Sequence, residues 1–161
     1  MCRTRHAKGF TLIELIMVMV VVAVLAAVAS MRMPGEGINL SAQAEQLASD
    51  IRYTQSLAMS RGQRFRINFA AGSYQITDNA GTPQPQQHPS TGLTAAISLT
   101  PAVLSGYNPP YTLNYLAFDS LGVPYTAAAT AQVALATLTL TSGGEAITVR
   151  IAPQTGRVQV P

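Results

Sequence analysis

Hydrophobic residues first crowd together, then recur at helical spacing, then alternate, and these three regimes divide the chain. Residues 10–29 are apolar almost without interruption, with Glu14 as the one charge. Twenty helical residues rise about 30 Å, the thickness of a hydrocarbon core, so the pattern predicts a transmembrane or filament-core helix over residues 10–30. Residues 31–37, Met31-Arg32-Met33-Pro34-Gly35-Glu36-Gly37, interrupt it. Pro34 lacks a backbone donor and two glycines loosen the chain, which predicts a break there. From residue 38 to 61 the helical period returns: Leu40, Ala44, Leu47, Ile51, Thr54 and Ala58 recur at steps of three and four, with Leu57 beside them. That is one apolar face of an amphipathic helix, with Asn39 or Ser41 as its cap and Gly62 as its stop. Glu45, Asp50 and Arg52 read as a solvated or inter-subunit face.

After Gly62 the period becomes two. Phe65, Ile67 and Phe69 alternate with Arg64, Arg66 and Asn68, and Ala70-Ala71-Gly72 turns the chain into Tyr74 and Ile76. This predicts a hairpin whose aromatic residues face the helix. Residues 78–92, rich in proline, glutamine and glycine, read as a mobile polar loop. Further strands are predicted over residues 95–99, 111–118, 133–141, 146–152 and 157–160, separated by turn signals such as Asn108-Pro109-Pro110 and Ser142-Gly143-Gly144. One long helix followed only by strands gives an α+β fold with a mostly antiparallel sheet.

Charge changes the picture only at the N-terminus. Of ten basic residues three, Arg3, Arg5 and Lys8, precede the apolar run, leaving seven arginines against seven acids beyond it. The formal +3 thus belongs to a short basic leader, and the rest of the chain carries no nucleic-acid signature in its net charge. Cys2, the one cysteine, and His6 lie in the same leader, which leaves His88 as the one imidazole beyond it. Disulfides and a Cys or His metal cluster are therefore excluded from the remainder, and no metal or cofactor is expected. No phosphate-binding loop, dinucleotide fingerprint or nucleophile elbow occurs, and His88, between Gln87 and Pro89, reads as a solvated loop histidine rather than a catalytic base.

Glu14 is the anomaly. A carboxylate inside a membrane helix costs roughly 2.5 to 3.5 kcal/mol at the bilayer centre, so a partner must offset it. The stretch Lys8-Gly9-Phe10-Thr11-Leu12-Ile13-Glu14, behind a basic leader and ahead of an apolar helix, resembles the class III signal of type IV prepilins and pseudopilins. That resemblance implies cleavage after Gly9 by a prepilin peptidase, N-methylation of Phe10, and pairing of Glu14 with a neighbouring subunit's N-terminal amine during assembly. It also implies a pilin-like fold, a leader over 1–9, and a periplasmic domain over 38–161. Further marks, Ala58-Met59-Ser60-Arg61-Gly62 and the closing Gly156-Arg157-Val158, are similar to the H-type pseudopilins of type II secretion and the FimT-type minor pilins, and within them to MshC-type minor pilins.

The implied role is a minor pilin or pseudopilin in a type IV pilus or secretion pseudopilus, held in the bacterial inner membrane by a single pass before assembly. Its implied partners are the peptidase and N-methyltransferase, other pilin subunits and the inner-membrane assembly platform. Two alternatives stand beside it. One is a DNA-capturing minor pilin with Arg64, Arg66 and Arg157 as candidate contacts, although Gln159 stands where such members carry a second arginine. The other is a simple membrane-anchored envelope protein.

Overall fold

The structure, a computed structural model, describes residues 11–30, 36–79, 85–89, 91–108, 114–126 and 130–161. They fall into two compact units, Met1–Gly35 and Glu36–Pro161. In the first, Thr11 opens helix α1 (Leu12–Ser30): its hydroxyl accepts the Glu14 backbone N–H at 3.3 Å and its carbonyl accepts that of Leu15 at 3.2 Å. Among the described residues no helix is long and apolar enough to cross a membrane. The described side chains of α1 end at Val28, giving roughly 25 Å of helix against a core of about 30 Å. Phe10, where the expected span begins, and the leader over 1–9 lie outside the described residues.

The second unit is organised by α2 (Glu36–Arg61). Leu40, Ala44, Leu47, Ile51, Thr54 and Ala58 are all buried, as the spacing predicted, and Ala48 joins them. The helix begins earlier than its apolar stripe. Glu36 and Gly37 are helical rather than part of a break, so Asn39 and Ser41 lie inside the helix and not at its start. Residues 31–35 of the break expected over 31–37 lie outside the described residues.

Two antiparallel sheets share this helix. The first, in the order β3-β2-β1-β5-β6, comprises β1 (Phe65–Ala70), β2 (Ser73–Asp78), β3 (Ile97–Ser98), β5 (Tyr115–Phe118) and β6 (Pro124–Tyr125). The second, β4-β7-β8-β9, comprises β4 (Val103–Asn108), β7 (Ala136–Ser142), β8 (Glu145–Ile151) and β9 (Val158–Gln159). Alternation sets the faces: Phe65, Ile67 and Phe69 of β1 and Leu138 and Leu140 of β7 point into one core with the α2 stripe. α2 packs on β1 and β5 of one sheet and on β7, β8 and β9 of the other.

Two strands escape the sequence pattern. β4 contains Ser105-Gly106, which interrupts its alternation, and its ladder with β7 slips between Leu104 and Gly106, a bulge at a glycine. β6 is only two residues long and opens on a proline.

The loop after β2 also differs from expectation. Its described part does not run free in solvent. Pro85 bridges Thr77 at the edge of β2, the Gln86 N–H bonds the Ile76 carbonyl at 2.9 Å, and His88 is buried.

Candidate functional site

The N-terminal motif places its acid at the surface of the first turn of α1. Gly9 and Phe10 lie outside the described residues, whereas Glu14 is exposed. Thr11 and Glu14 have the spacing of a capping box, and a carboxylate in the first helical turn is favoured by the helix dipole. Its exposure leaves the carboxylate open to a cation brought by another molecule.

The candidate arginines are not gathered into one patch. Arg64 and Arg66 share the outward face of the first sheet, each stacked on a tyrosine: Arg64 lies 4.1 Å above the Tyr125 ring and Arg66 lies 5.1 Å above Tyr115. Arg66 Nε also donates to Thr77 Oγ1 at 3.2 Å. Arg157 stands apart, exposed beside β9 in the second sheet. Such stacking contributes about 0.5–1 kcal/mol at exposed sites and holds the guanidinium planes on the protein.

A buried polar cluster was not foreseen. Asp50, expected on a solvated or inter-subunit face, and His88, expected in solvent, are 3 % exposed, and Tyr74 is 2 % exposed. Asp50 Oδ2 accepts the Tyr74 hydroxyl and lies 2.7 Å from His88 Nε2. The phenol and the carboxylate satisfy each other inside the protein, and the imidazole lies against that carboxylate. Burial first, then the hydrogen bond to Asp50 and its charge, hold the Tyr74 hydroxyl well above the usual phenol range. A signal was available in the spacing: Asp50 follows Leu47 by three and precedes Thr54 by four, which puts it on the apolar stripe. His88, in a loop without periodicity, offered none.

The chemistry of this cluster is positional. In a nucleophile–base–acid relay the histidine stands between the other two groups. Here the carboxylate is central and the third group is a phenol bonded to the carboxylate. Among the described residues no group of three or more His, Cys, Asp or Glu is placed to hold a metal ion.

Beside the cluster opens a cleft of about 270 Å³, bordered by Tyr53 and Arg61 of α2 and by Gln86, Gln87, His88 and Gly92 of the loop. The loop is tied across itself: His88 N–H to the Leu93 carbonyl and Gly92 N–H to the His88 carbonyl, both at 2.8 Å. On α2, one turn away from the buried cluster, Gln55 Nε2 bonds the Gly122 and Thr155 carbonyls at 2.9 and 2.8 Å. Arg52 Nη2 bonds the Val158 carbonyl at 3.0 Å, so the closing Gly156-Arg157-Val158 is docked on the helix.

Comparison with known proteins agrees with this architecture. Residues 43–155 match the family described as type II transport protein GspH, and residues 4–30 match the prokaryotic N-terminal methylation motif. No curated protein matches the sequence. Among solved structures the chain is similar to the type IV minor pilin FimU of Pseudomonas aeruginosa (strain PAO1) in two crystal forms. The P21 form superposes with a TM-score of 0.56 at 17% identity, over 78% of this chain and 90% of that one. The P65 form gives 0.54 at 17%, over 76% and 92%. At that identity the likeness is one of fold.

Proposed function

This chain belongs to the GspH family of type II transport proteins and is a minor pilin or pseudopilin subunit, and from that membership we propose how it is matured and assembled. A prepilin peptidase cuts after Gly9, and Phe10 becomes the methylated N-terminus. Residues 10–30 hold the subunit in the inner membrane, with the domain over 38–161 in the periplasm. On assembly the apolar helix leaves lipid for the filament core, where van der Waals packing among small and β-branched side chains such as Val20, Val21, Val22 and Ala23 replaces lipid contacts. Glu14 meets the N-terminal amine of a neighbouring subunit, and the ion pair makes a carboxylate tolerable where water is excluded.

The observation that carries this is the exposed Glu14 in the first turn of α1, inside the N-terminal methylation motif. The family and fold are those of structural subunits, and the partners they suggest are other pilins and the processing peptidase. The test is the intact mass and N-terminal peptide of the protein recovered from its native membranes. A chain beginning at N-methylated Phe10 is expected. One still beginning at Met1 in cells with active prepilin peptidase would leave an anchored envelope protein instead.

DNA capture is a second reading, favoured by Arg64 and Arg66 sharing a face with Tyr115 and Tyr125. It requires binding that weakens steeply with salt and is lost in an Arg64→Gln/Arg66→Gln variant. The even balance of seven arginines and seven acids beyond the leader opposes it.

A further inference from the structure

We propose that the cleft beside Arg61 is a binding site for a carboxylate. The first ground is a fixed cation without an acid. Arg61 closes α2, its Nη1 donates to Gln86 Oε1 at 3.0 Å, and its guanidinium lies 5.5 Å above the Phe65 ring. A neutral amide at one edge and an aromatic face beneath hold the plane in place and leave its charge uncompensated. Among the described residues no carboxylate pairs with Arg61, and the buried Asp50 of the same helix is engaged by Tyr74 and lies against His88.

The second ground is the lining. The cleft is rimmed by a guanidinium, side-chain amides, the Tyr53 phenol and the His88 imidazole, and among the described residues no Asp or Glu lines it. The Arg61 guanidinium is the charged donor of this wall, with the Tyr53 hydroxyl beside it, which suits an anionic acceptor. Arg's planar fork matches a carboxylate with two parallel N–H donors, and such charge-assisted bonds are roughly twice as strong as neutral ones.

The third ground is size and rigidity. A volume of about 270 Å³ falls below the range of drug-sized ligand sites, roughly 300–1,000 Å³, and fits a carboxylate head with a short methylene stem. The wall is pre-organised: His88 is anchored to α2 through Asp50, and Gln87 Nε2 is tied to the Gly92 carbonyl at 2.8 Å. Anchoring the wall before the ligand arrives lowers the ordering cost of binding. The carboxylate chemistry stands on these contacts alone. Its assignment to an acidic side chain of a neighbouring subunit rests on the assembly role proposed above, and a free small carboxylate is the other source.

The test is a titration of the full-length protein in detergent micelles at constant ionic strength, read by NMR at the Arg61 Nε–H and the His88 ring. The probes are sodium acetate, a blocked Ala-Glu-Ala tripeptide, and its Ala-Gln-Ala counterpart. Saturable shifts with acetate and the glutamate peptide, none with the glutamine peptide, and a loss of roughly tenfold or more in affinity in Arg61→Gln are expected. Arg61→Lys, which keeps the charge without the fork, should fall between. Tighter binding of the glutamate peptide than of acetate assigns the site to a subunit-borne side chain, and equal binding assigns it to a free carboxylate. Shifts that only follow added salt, or that persist unchanged in Arg61→Gln, overturn the site. An unprocessed N-terminus would change the source and leave the site standing.

Discussion

Asp50 on α2 and His88 in the loop after β2 meet at 2.7 Å, Oδ2 to Nε2, with both side chains all but excluded from water. Neither could be buried alone, since an isolated charge or an unbonded imidazole inside a protein is strongly disfavoured. An apolar pair of similar volume would stabilise the domain at least as well. What the polar pair adds is direction: it fixes one geometry for a loop whose own sequence has no strand or helix preference.

Breaking the pair from one side should therefore cost more than its net worth. Asp50→Ala leaves the Tyr74 hydroxyl buried without its acceptor and the His88 imidazole without the carboxylate beside it, and is expected to lower the unfolding free energy by roughly 3 kcal/mol or more. His88→Ala should cost less, and the double variant should fall short of the sum. Urea titration of the four proteins of this cycle measures the coupling. Additivity within about 0.5 kcal/mol would show that the contact carries none.

Tyr74 gives the domain an alkaline limit. Its folded pKa is raised above the ordinary phenol value of about 10, so the unfolded chain releases this proton at lower pH than the folded one. The stabilisation is complete below pH 10 and is lost as pH rises from there toward the folded pKa, at up to about 1.4 kcal/mol per pH unit. Tyr74→Phe should be less stable at neutral pH, because Asp50 loses a donor. It should also show a shallower decline above pH 10. Equal slopes for the two proteins would remove Tyr74 as the cause.

Much of this architecture was legible because periodicity reports packing. The stripe from Leu40 to Ala58 and the hairpin of β1 and β2 follow from spacing, and each buries the residues the pattern nominated, while β7 and β8 fall within predicted strand ranges to within a residue. Where two residues solve each other's problem across the fold, spacing is silent. His88 is buried against Asp50, and Asp50 reads from sequence as part of a solvated or inter-subunit face because a charge is ordinarily found in solvent. β4 was hidden for a local reason, since a glycine bulge erases the alternation that identifies a strand.

Gly62 and Gly156 separate conformational strain from crowding. Both have φ of +64°, but a Cβ at Gly62 would meet nothing within 4 Å, whereas at Gly156 it would lie 2.6 Å from Gln55 Nε2 and 2.7 Å from Phe118 Cε1. Gly62→Ala should cost about 1 kcal/mol from the left-handed backbone alone. Gly156→Ala should cost about 2 kcal/mol more, because the C-terminal segment must leave α2 or Phe118 must move. Thermal melts of the two variants give the comparison, and similar losses at both sites would show that crowding is relieved without cost.

Glu14 admits two physical roles, and a single substitution separates them. As the fourth residue of a Thr11-x-x-Glu14 cap it shapes the start of α1, a task glutamine performs nearly as well. As the anionic partner of a neighbour's N-terminal amine it needs its charge, which glutamine lacks. Glu14→Gln should therefore leave cleavage after Gly9 unchanged in both cases. It should lower the fraction of subunit recovered in sheared filaments by roughly tenfold or more only if the charge is the working group. Glu14→Ala, which removes both functions, should be no worse than Glu14→Gln. Recovery of the glutamine variant at the normal level, with the alanine variant depleted, would assign Glu14 to capping and leave the N-terminal amine to find another partner.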